Sequence, residues 1–551
     1  MLMGQMMDMP LLLSGLLTHA ERFHGDTEVV SRTIEGPPAG STGYKDRIHR
    51  YTYADSARRA RRLANALQRL GVKPGDRVAT LAWNGYRHFE LYYGVSGIGS
   101  VVHTINPRLF PEQIAWIANH AEDSILFFDL SFAPLVEQLA PKCPTVRHWV
   151  AMTDRAHMPA TAIPNLLCYE ELLATESEEL EWPQFDERSA CCLCYTSGTT
   201  GNPKGVLYSH RSMMLHTYGG CLPDVFGLSA RDCILPVVPM FHVNAWAIPY
   251  AAPMVGAKLV FPGAALDGAS LCELFDNEGV TFSAGVPTVW LGMLQYLQSA
   301  GTKPRTLRRM VVGGSACPPA LMQTFERDYG IKLHHAWGMT EMSPLGTFGC
   351  LKNKHLELGK EQQFAIEIKQ GRPTYGVDLR IVDPEGKEQP RDGKAFGDLM
   401  VRGPWVIERY YRATESASPD GWFATGDVAT LDPDGFMQIT DRSKDVIKSG
   451  GEWISSIDLE NVAVAHPAVA QAAVIAARHP KWDERPLLVV VKKPGAEVTR
   501  EELLAFYPGK VAKWWIPDDV VFVEALPMTA TGKISKLQLR ERLKDHRLAG
   551  T

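Results

Sequence analysis

Apolar positions along the chain fall first at helical and then at strand spacing. Ala60, Leu63, Leu67 and Leu70 lie on one face of a helix that Gly71 stops, and Asp76 to Trp83 reads as a buried strand. The rhythm repeats: Phe110 to His120 reads as helix, Ser124 to Asp129 as strand, Ala133 to Leu139 as helix and Val146 to Met152 as strand. Helix and strand in alternation predict a largely parallel α/β sheet. Pro and Gly punctuate the pattern to about residue 440. Beyond it the pattern changes to a helix at Asp458 to Ala465, strands at Val469 to Ala477 and Leu487 to Val491, and a charged helix near the end. The polar, charge-rich DRSKD between them, Asp441 to Asp445, reads as a hinge.

Composition narrows the class. A chain of 551 residues is too long for one ordinary core, so two to four domains are expected. Hydrophobic residues at 45% and charged residues at 22% describe a globular protein rather than a disordered one. Fifty-seven basic against 62 acidic residues leave a net charge of -5, which gives no footprint for nucleic acid or an anionic membrane. The apolar first twenty residues lack a positive n-region and a small-residue cleavage site and include Asp8 and Pro10, so they read as a first helix rather than a signal peptide. The apolar run from Trp246 to Phe261 is broken by Pro249, Pro253, Gly256 and Lys258 and makes no membrane span. Cys191, Cys192 and Cys194 have no second pair at metal-ligand spacing, and they are expected to line a buried strand in a reducing cytosol. A soluble, cytoplasmic protein is the expectation.

The densest chemistry lies in YTSGTTGNPKG, Tyr195 to Gly205, directly after that strand. Hydroxyls of Thr196, Ser197, Thr199 and Thr200, amides beside Gly198 and Gly201, and the ammonium of Lys204 can all donate to phosphate oxygens. Lys204 is followed by Gly205 rather than Ser or Thr, so this is not a Walker A loop. A surface turn rich in Gly, Ser and Thr is the plainer alternative, but the density of donors exceeds what turn chemistry needs.

YTSGTTGNPKG resembles the signature of the adenylate-forming acyl-CoA synthetases. Six further stretches match that family in the same order: VPMFH at 238 to 242, GGSACPP at 313 to 319, AWGMTE at 336 to 341, TGD at 425 to 427, DRSKDVIKSGGEWIS at 441 to 455 and PMTATGKISK at 527 to 536. The resemblance spans roughly residues 50 to 545. It implies an α/β fold with a large N-terminal domain of mostly parallel sheets plus β elements, residues 1–440, which adenylates and binds the acyl group. A hinge at 441–446 and a small mobile α+β domain at 447–551 follow.

The resemblance implies roles residue by residue. Ala336, Trp337, Gly338, Met339 and Thr340 would border the nucleotide with Gly314, the flat ring of Trp337 stacking on adenine where the family more often has Tyr. Asp427 would hold the ribose hydroxyls, assisted by Arg442. Glu341, with Thr196, would serve Mg²⁺ on the ATP phosphates, a glutamate facing a helix dipole being the lesser alternative. His242 reads either as a satisfied core histidine or, by the family match, as a group beside the reacting carboxylate. Trp246, one helical turn on, is either core or the gate of an acyl tunnel, and Val286 lies in the acyl region. Lys533 follows Gly532, which lets the backbone approach a ligand, and its ammonium would bridge carboxylate and α-phosphate. Lys448, Gly450, Gly451, Glu452 and Trp453 would close over the pantetheine of coenzyme A after rotation about Lys444.

Together these imply AMP-forming ligation of a hydrophobic acid to coenzyme A, with ATP and Mg²⁺, the acid being a medium- or long-chain fatty acid or a short analogue such as 3-methylmercaptopropionate. A luciferase-like oxygenase and a non-catalytic nucleotide-binding module are the alternatives from other classes. A homodimer is carried over from the family alone.

Overall fold

The computed structural model describes all residues except 38, 39, 42, 197–201, 451, 529–533 and 549–551, and only the backbone at 452 and 453. Two sheets carry the first two-thirds of the chain. One has seven strands in the order Leu166–Cys168, His148–Ala151, Ile125–Phe128, Arg77–Leu81, Val101–Thr104, Ala190–Tyr195 and Gly205–Ser209, all neighbours parallel except the last pair. The antiparallel last pair flanks residues 196–204, which puts Thr196 and Lys204 at a sheet end. The second sheet has nine strands, with a parallel centre that includes Cys233–Pro236, Phe282–Gly285, Arg309–Val312 and Lys332–Gly338.

The helix Tyr53–Arg69 shows why the elements form where they do. Thr52 accepts from the Asp55 amide while Asp55 reaches back to the Thr52 amide, satisfying two otherwise orphaned donors at the helix start. Ala60, Leu63 and Leu67 are buried on one face, and Gly71 at φ +80° ends the helix in a conformation that a side chain resists. The first helix starts later than its apolar composition implies. It spans Ser14–Phe23, and Met1 to Met9 are exposed, because Pro10 disfavours helical backbone in the residue before it.

A four-stranded antiparallel sheet at 378–442 follows, then a five-stranded sheet within 447–522. Two apolar clusters draw only on residues 447 to 548. Among the described residues, no helix is long and apolar enough to cross a membrane.

Candidate active site

The strand Ala190–Tyr195 buries Cys191, Cys192 and Cys194, as its pattern predicts, and burial pushes the Cys194 thiol up to about 12. All ten cysteines are free. At the strand's end the Thr196 amide donates to the Lys204 carbonyl at 2.9 Å, and the Lys204 amide donates to Thr196 Oγ1 at 3.3 Å. These two bonds clasp the ends of the loop. Ser197, Gly198, Thr199, Thr200 and Gly201 lie outside the described residues.

A tyrosine connects this loop to the expected metal ligand. Lys204 Nζ lies 4.8 Å from the centre of the Tyr410 ring, and Tyr410 Oη donates to Glu341 Oε1 at 2.9 Å. The main chain supports the same contact, since the Tyr411 amide donates to the Gly205 carbonyl and the Ile407 amide to the Glu341 carbonyl, each at 2.8 Å. Tyr208 Oη donates to the Thr340 carbonyl at 2.6 Å, fixing the next residue along. Glu341 is only 8% exposed, and burial raises its pKa above the usual carboxylate range. The Tyr410 donation and the charges of Arg442 and Lys204 oppose that rise. Among the described residues no three His, Cys, Asp or Glu side chains are grouped to hold a metal. A single desolvated carboxylate suits Mg²⁺, which takes one or two protein oxygens and fills the rest of its shell from water and phosphate.

Trp337, Asp427 and Arg442 converge as expected. The Trp337 indole N–H donates to Asp427 Oδ2 at 3.0 Å, and Arg442 Nε lies 2.9 Å from Asp427 Oδ1. Asp427 and Arg442 are directly opposed residues of the paired strands Phe423–Leu431 and Met437–Arg442, which explains their reach. Ala336 and Trp337 pair with Phe348 and Thr347, and the Trp337 ring packs against Gly346, where a Cβ would lie 2.5 Å from it. Gly338 is equally constrained, a Cβ there falling 2.0 Å from the Pro344 carbonyl oxygen. The Met339 amide donates to that same carbonyl at 3.0 Å.

The turn after His242 corrects the sequence expectation of an ordinary helical turn. Val243, Asn244, Ala245, Trp246 and Ala247 all have φ between 47° and 61°, a left-handed turn of five residues without a glycine. Each such residue costs roughly 1–2 kcal/mol, so the run forfeits an amount comparable to the net stability of a domain and persists only where its surroundings over-determine it. Trp246 is half-buried and packs against the core, and its ring lies against Gly313, where a Cβ would fall 3.0 Å from the indole and 2.9 Å from the Ala336 carbonyl oxygen. The residue expected to gate the acyl chain and one expected to border the nucleotide therefore meet at one glycine. Gly314, at φ +83°, faces Val286 Cγ1. Val286 in turn lines a cavity of about 70 Å³ with Val237, Val238, Pro239, Phe241 and Leu266.

Lys444 is exposed, yet partial desolvation pulls its ammonium below its usual value. The segment around it is anchored on both sides: Asp441 Oδ2 accepts from the Ser456 amide at 2.6 Å, and Asp445 pairs with Arg540 at 2.6 Å. Lys448 and Gly450 belong to a hairpin of Ile447–Ser449 with Glu452–Ile454, in which Lys448 is opposite Trp453 and Ser449 opposite Glu452. The Lys448 amide donates to Glu484 and the Gly450 amide to the Trp482 carbonyl. Lys533 and Gly451 lie outside the described residues. Tyr410, Tyr208 and Asn244 escaped the sequence reading; only Asn244 carries a signal, since Asn tolerates left-handed backbone better than most residues.

Residues 18–411 match the model of the AMP-binding enzyme family and residues 458–533 that of the AMP-binding enzyme C-terminal domain. The 3-methylmercaptopropionyl-CoA ligase of Ruegeria lacuscaerulensis is 54% identical over 545 residues, covering 99% of both chains. The medium-chain-fatty-acid–CoA ligase of Ectopseudomonas oleovorans is 51% identical, covering 99% of this chain and 98% of that one. The crystal structure of the anthranilate CoA ligase AuaEII in complex with anthranoyl-AMP superposes with a TM-score of 0.85 at 25% identity, covering 98% of each chain.

Proposed function

We propose, from the premise that this chain belongs to the AMP-binding enzyme family and is an AMP-forming acyl-CoA ligase, that its acid is short and hydrophobic, of the size of 3-methylmercaptopropionate. ATP and coenzyme A are its co-substrates. The observation that supports the size is the small cavity of about 70 Å³ beside Val286 and Pro239, whose mostly apolar wall also carries Asn84 and Arg108 and leaves room for a few methylene-sized groups. The test is kcat/KM across propionate, 3-methylmercaptopropionate, octanoate and palmitate. A maximum at octanoate or beyond would overturn the short-acid reading and favour the medium-chain activity for which the Ectopseudomonas relative is named.

The carboxylate attacks the α-phosphorus of ATP, the bond to pyrophosphate breaks, and the thiol of coenzyme A then displaces AMP from the mixed anhydride. In this reading Thr196 to Gly201 and Lys204 hold the phosphates, while Asp427 and Arg442 hold the ribose against Trp337. Mg²⁺, when bound, neutralises phosphate charge, and Glu341 with Thr196 would hold it. His242 and Trp246 orient the carboxylate and gate its chain. Lys533 supplies positive charge where carboxylate and α-phosphate meet, stabilising the transition state without moving a proton.

Lys533 must leave before a thiol can arrive, so the reading includes rotation of residues 447–551 about the hinge 441–446 relative to 1–440. The separate apolar clusters beyond residue 447 support that partition. Lys448 to Trp453 would then line the pantetheine. Lys533→Ala should lose roughly 10² to 10³ in adenylation yet convert presynthesised acyl-adenylate and coenzyme A at near wild-type rate. Equal loss in both half-reactions would sink domain alternation. A cytoplasmic, homodimeric enzyme completes the proposal, the ten free cysteines fitting a reducing compartment.

A further inference from the structure

A left-handed turn of five L-residues needs something to hold it, and the fold supplies a clamp from two other elements. Tyr92, on the helix Tyr86–Ser96, is fully buried and reaches both the approach to the turn and its interior. Its hydroxyl donates to the Met240 carbonyl at 2.5 Å and lies 3.3 Å from Asn244 Oδ1. Cys194, two residues before the phosphate loop's clasp at Thr196, donates its thiol to the same Oδ1 at 3.7 Å. Asn244 is completely buried, and its Nδ2 has no hydrogen-bond partner among the described residues. A buried amide kept with an unsatisfied donor indicates that its oxygen is what the position requires. Two residues on, Trp246 rests on Gly313 at the junction of the acyl and nucleotide groups.

We propose that Tyr92, Asn244 and Cys194 form a clamp that sets the position of Trp246, and that Tyr92 is thereby a positioning residue for acyl-chain selection. None of the three needs to touch ATP or the acid to act. The inference rests on the reading of Trp246 as the acyl gate, and its test keeps the two separable.

Tyr92→Phe keeps the buried ring and deletes the hydroxyl. Its kcat/KM for octanoate relative to 3-methylmercaptopropionate should shift by about tenfold, the scale of a methylene or two of altered fit, while KM for ATP stays within about twofold. Asn244→Gly removes the acceptor from a backbone that glycine adopts freely, so it should fold even if Tyr92→Phe does not, and should shift the same ratio in the same direction. Trp246→Ala is the control. A folded Tyr92→Phe or Asn244→Gly whose selectivity ratio is unchanged, or whose kcat falls alike for every acid, overturns the clamp if Trp246→Ala moves the ratio. If Trp246→Ala leaves the ratio unmoved as well, the gate reading falls and takes the clamp with it.

Discussion

Trp337 and Asp427, 90 residues apart in the chain, are joined by an indole N–H donating to a buried carboxylate oxygen at 3.0 Å, while Arg442 takes the other oxygen. The ring that would stack on the base thus also aligns the acid that would hold the ribose. Trp337→Phe should keep the stack and lose the donor. A hydrogen bond to a charged group contributes roughly 1.5–3 kcal/mol, so KM for ATP should rise about 10- to 100-fold with kcat largely kept. Steady-state kinetics at saturating acid decide it; an unchanged KM would disconnect the indole from nucleotide binding.

Glu341→Gln should abolish most turnover, by about 10² or more, while making the unliganded protein more stable by about 1 kcal/mol at neutral pH. Burial raises the Glu341 pKa, so the folded state binds the proton more tightly than the unfolded state, and the stability this shift adds is present at low pH and lost as pH rises through the folded value. The advantage of Gln should therefore vanish in acid and grow toward neutrality. Urea unfolding at a series of pH values measures it.

Gly313→Ala places a methyl 3.0 Å from the Trp246 ring and 2.9 Å from the Ala336 carbonyl oxygen, so one of them must move. The indole is the side chain and should yield first. Overpacking of this kind costs about 1–3 kcal/mol, and the acyl-chain profile should change more than KM for ATP. Melting curves run beside the acid panel separate displacement of the ring from general loss of fold.

Burial holds His49, His88, His210 and His335 down to about 4 and His216 to about 3. The unfolded chain binds these protons near pH 6.5 and the folded one does not, so stability is full above about 6.5 and drains as pH falls toward 4. Each imidazole adds at most about 1.4 kcal/mol per pH unit to that slope. Replacing His216 with Gln should flatten the dependence of unfolding free energy on pH by up to that amount, whatever it does to stability at pH 7. An unchanged slope would show that His216 titrates alike in both states.

The helix stopped at Gly71 and the buried cysteine strand were legible because periodicity and burial are local properties of a few neighbouring residues. The handedness of the turn at Val243 to Ala247 was not, since apolar spacing encodes which face is buried and not the sign of φ. Nor could Tyr410 be found, because its contact with Glu341 joins residues 69 apart and no motif marks the Tyr-Tyr pair it belongs to. What the chain states locally was read; what tertiary folding brings together had to be seen.

Every cysteine lies between 143 and 350, and the C-terminal two hundred residues have none. Burial pushes Cys194, Cys221, Cys233, Cys272 and Cys317 up to about 12, which leaves almost no thiolate at neutral pH for an alkylating reagent. Of the native thiols only Cys221 and Cys350 are not fully buried, and Cys350 is the one to replace before labelling. With Cys350 replaced by Ser, a cysteine introduced at the exposed Glu497 would carry a dye at one site, and fluorescence in solution would report whether the C-terminal residues rotate as proposed.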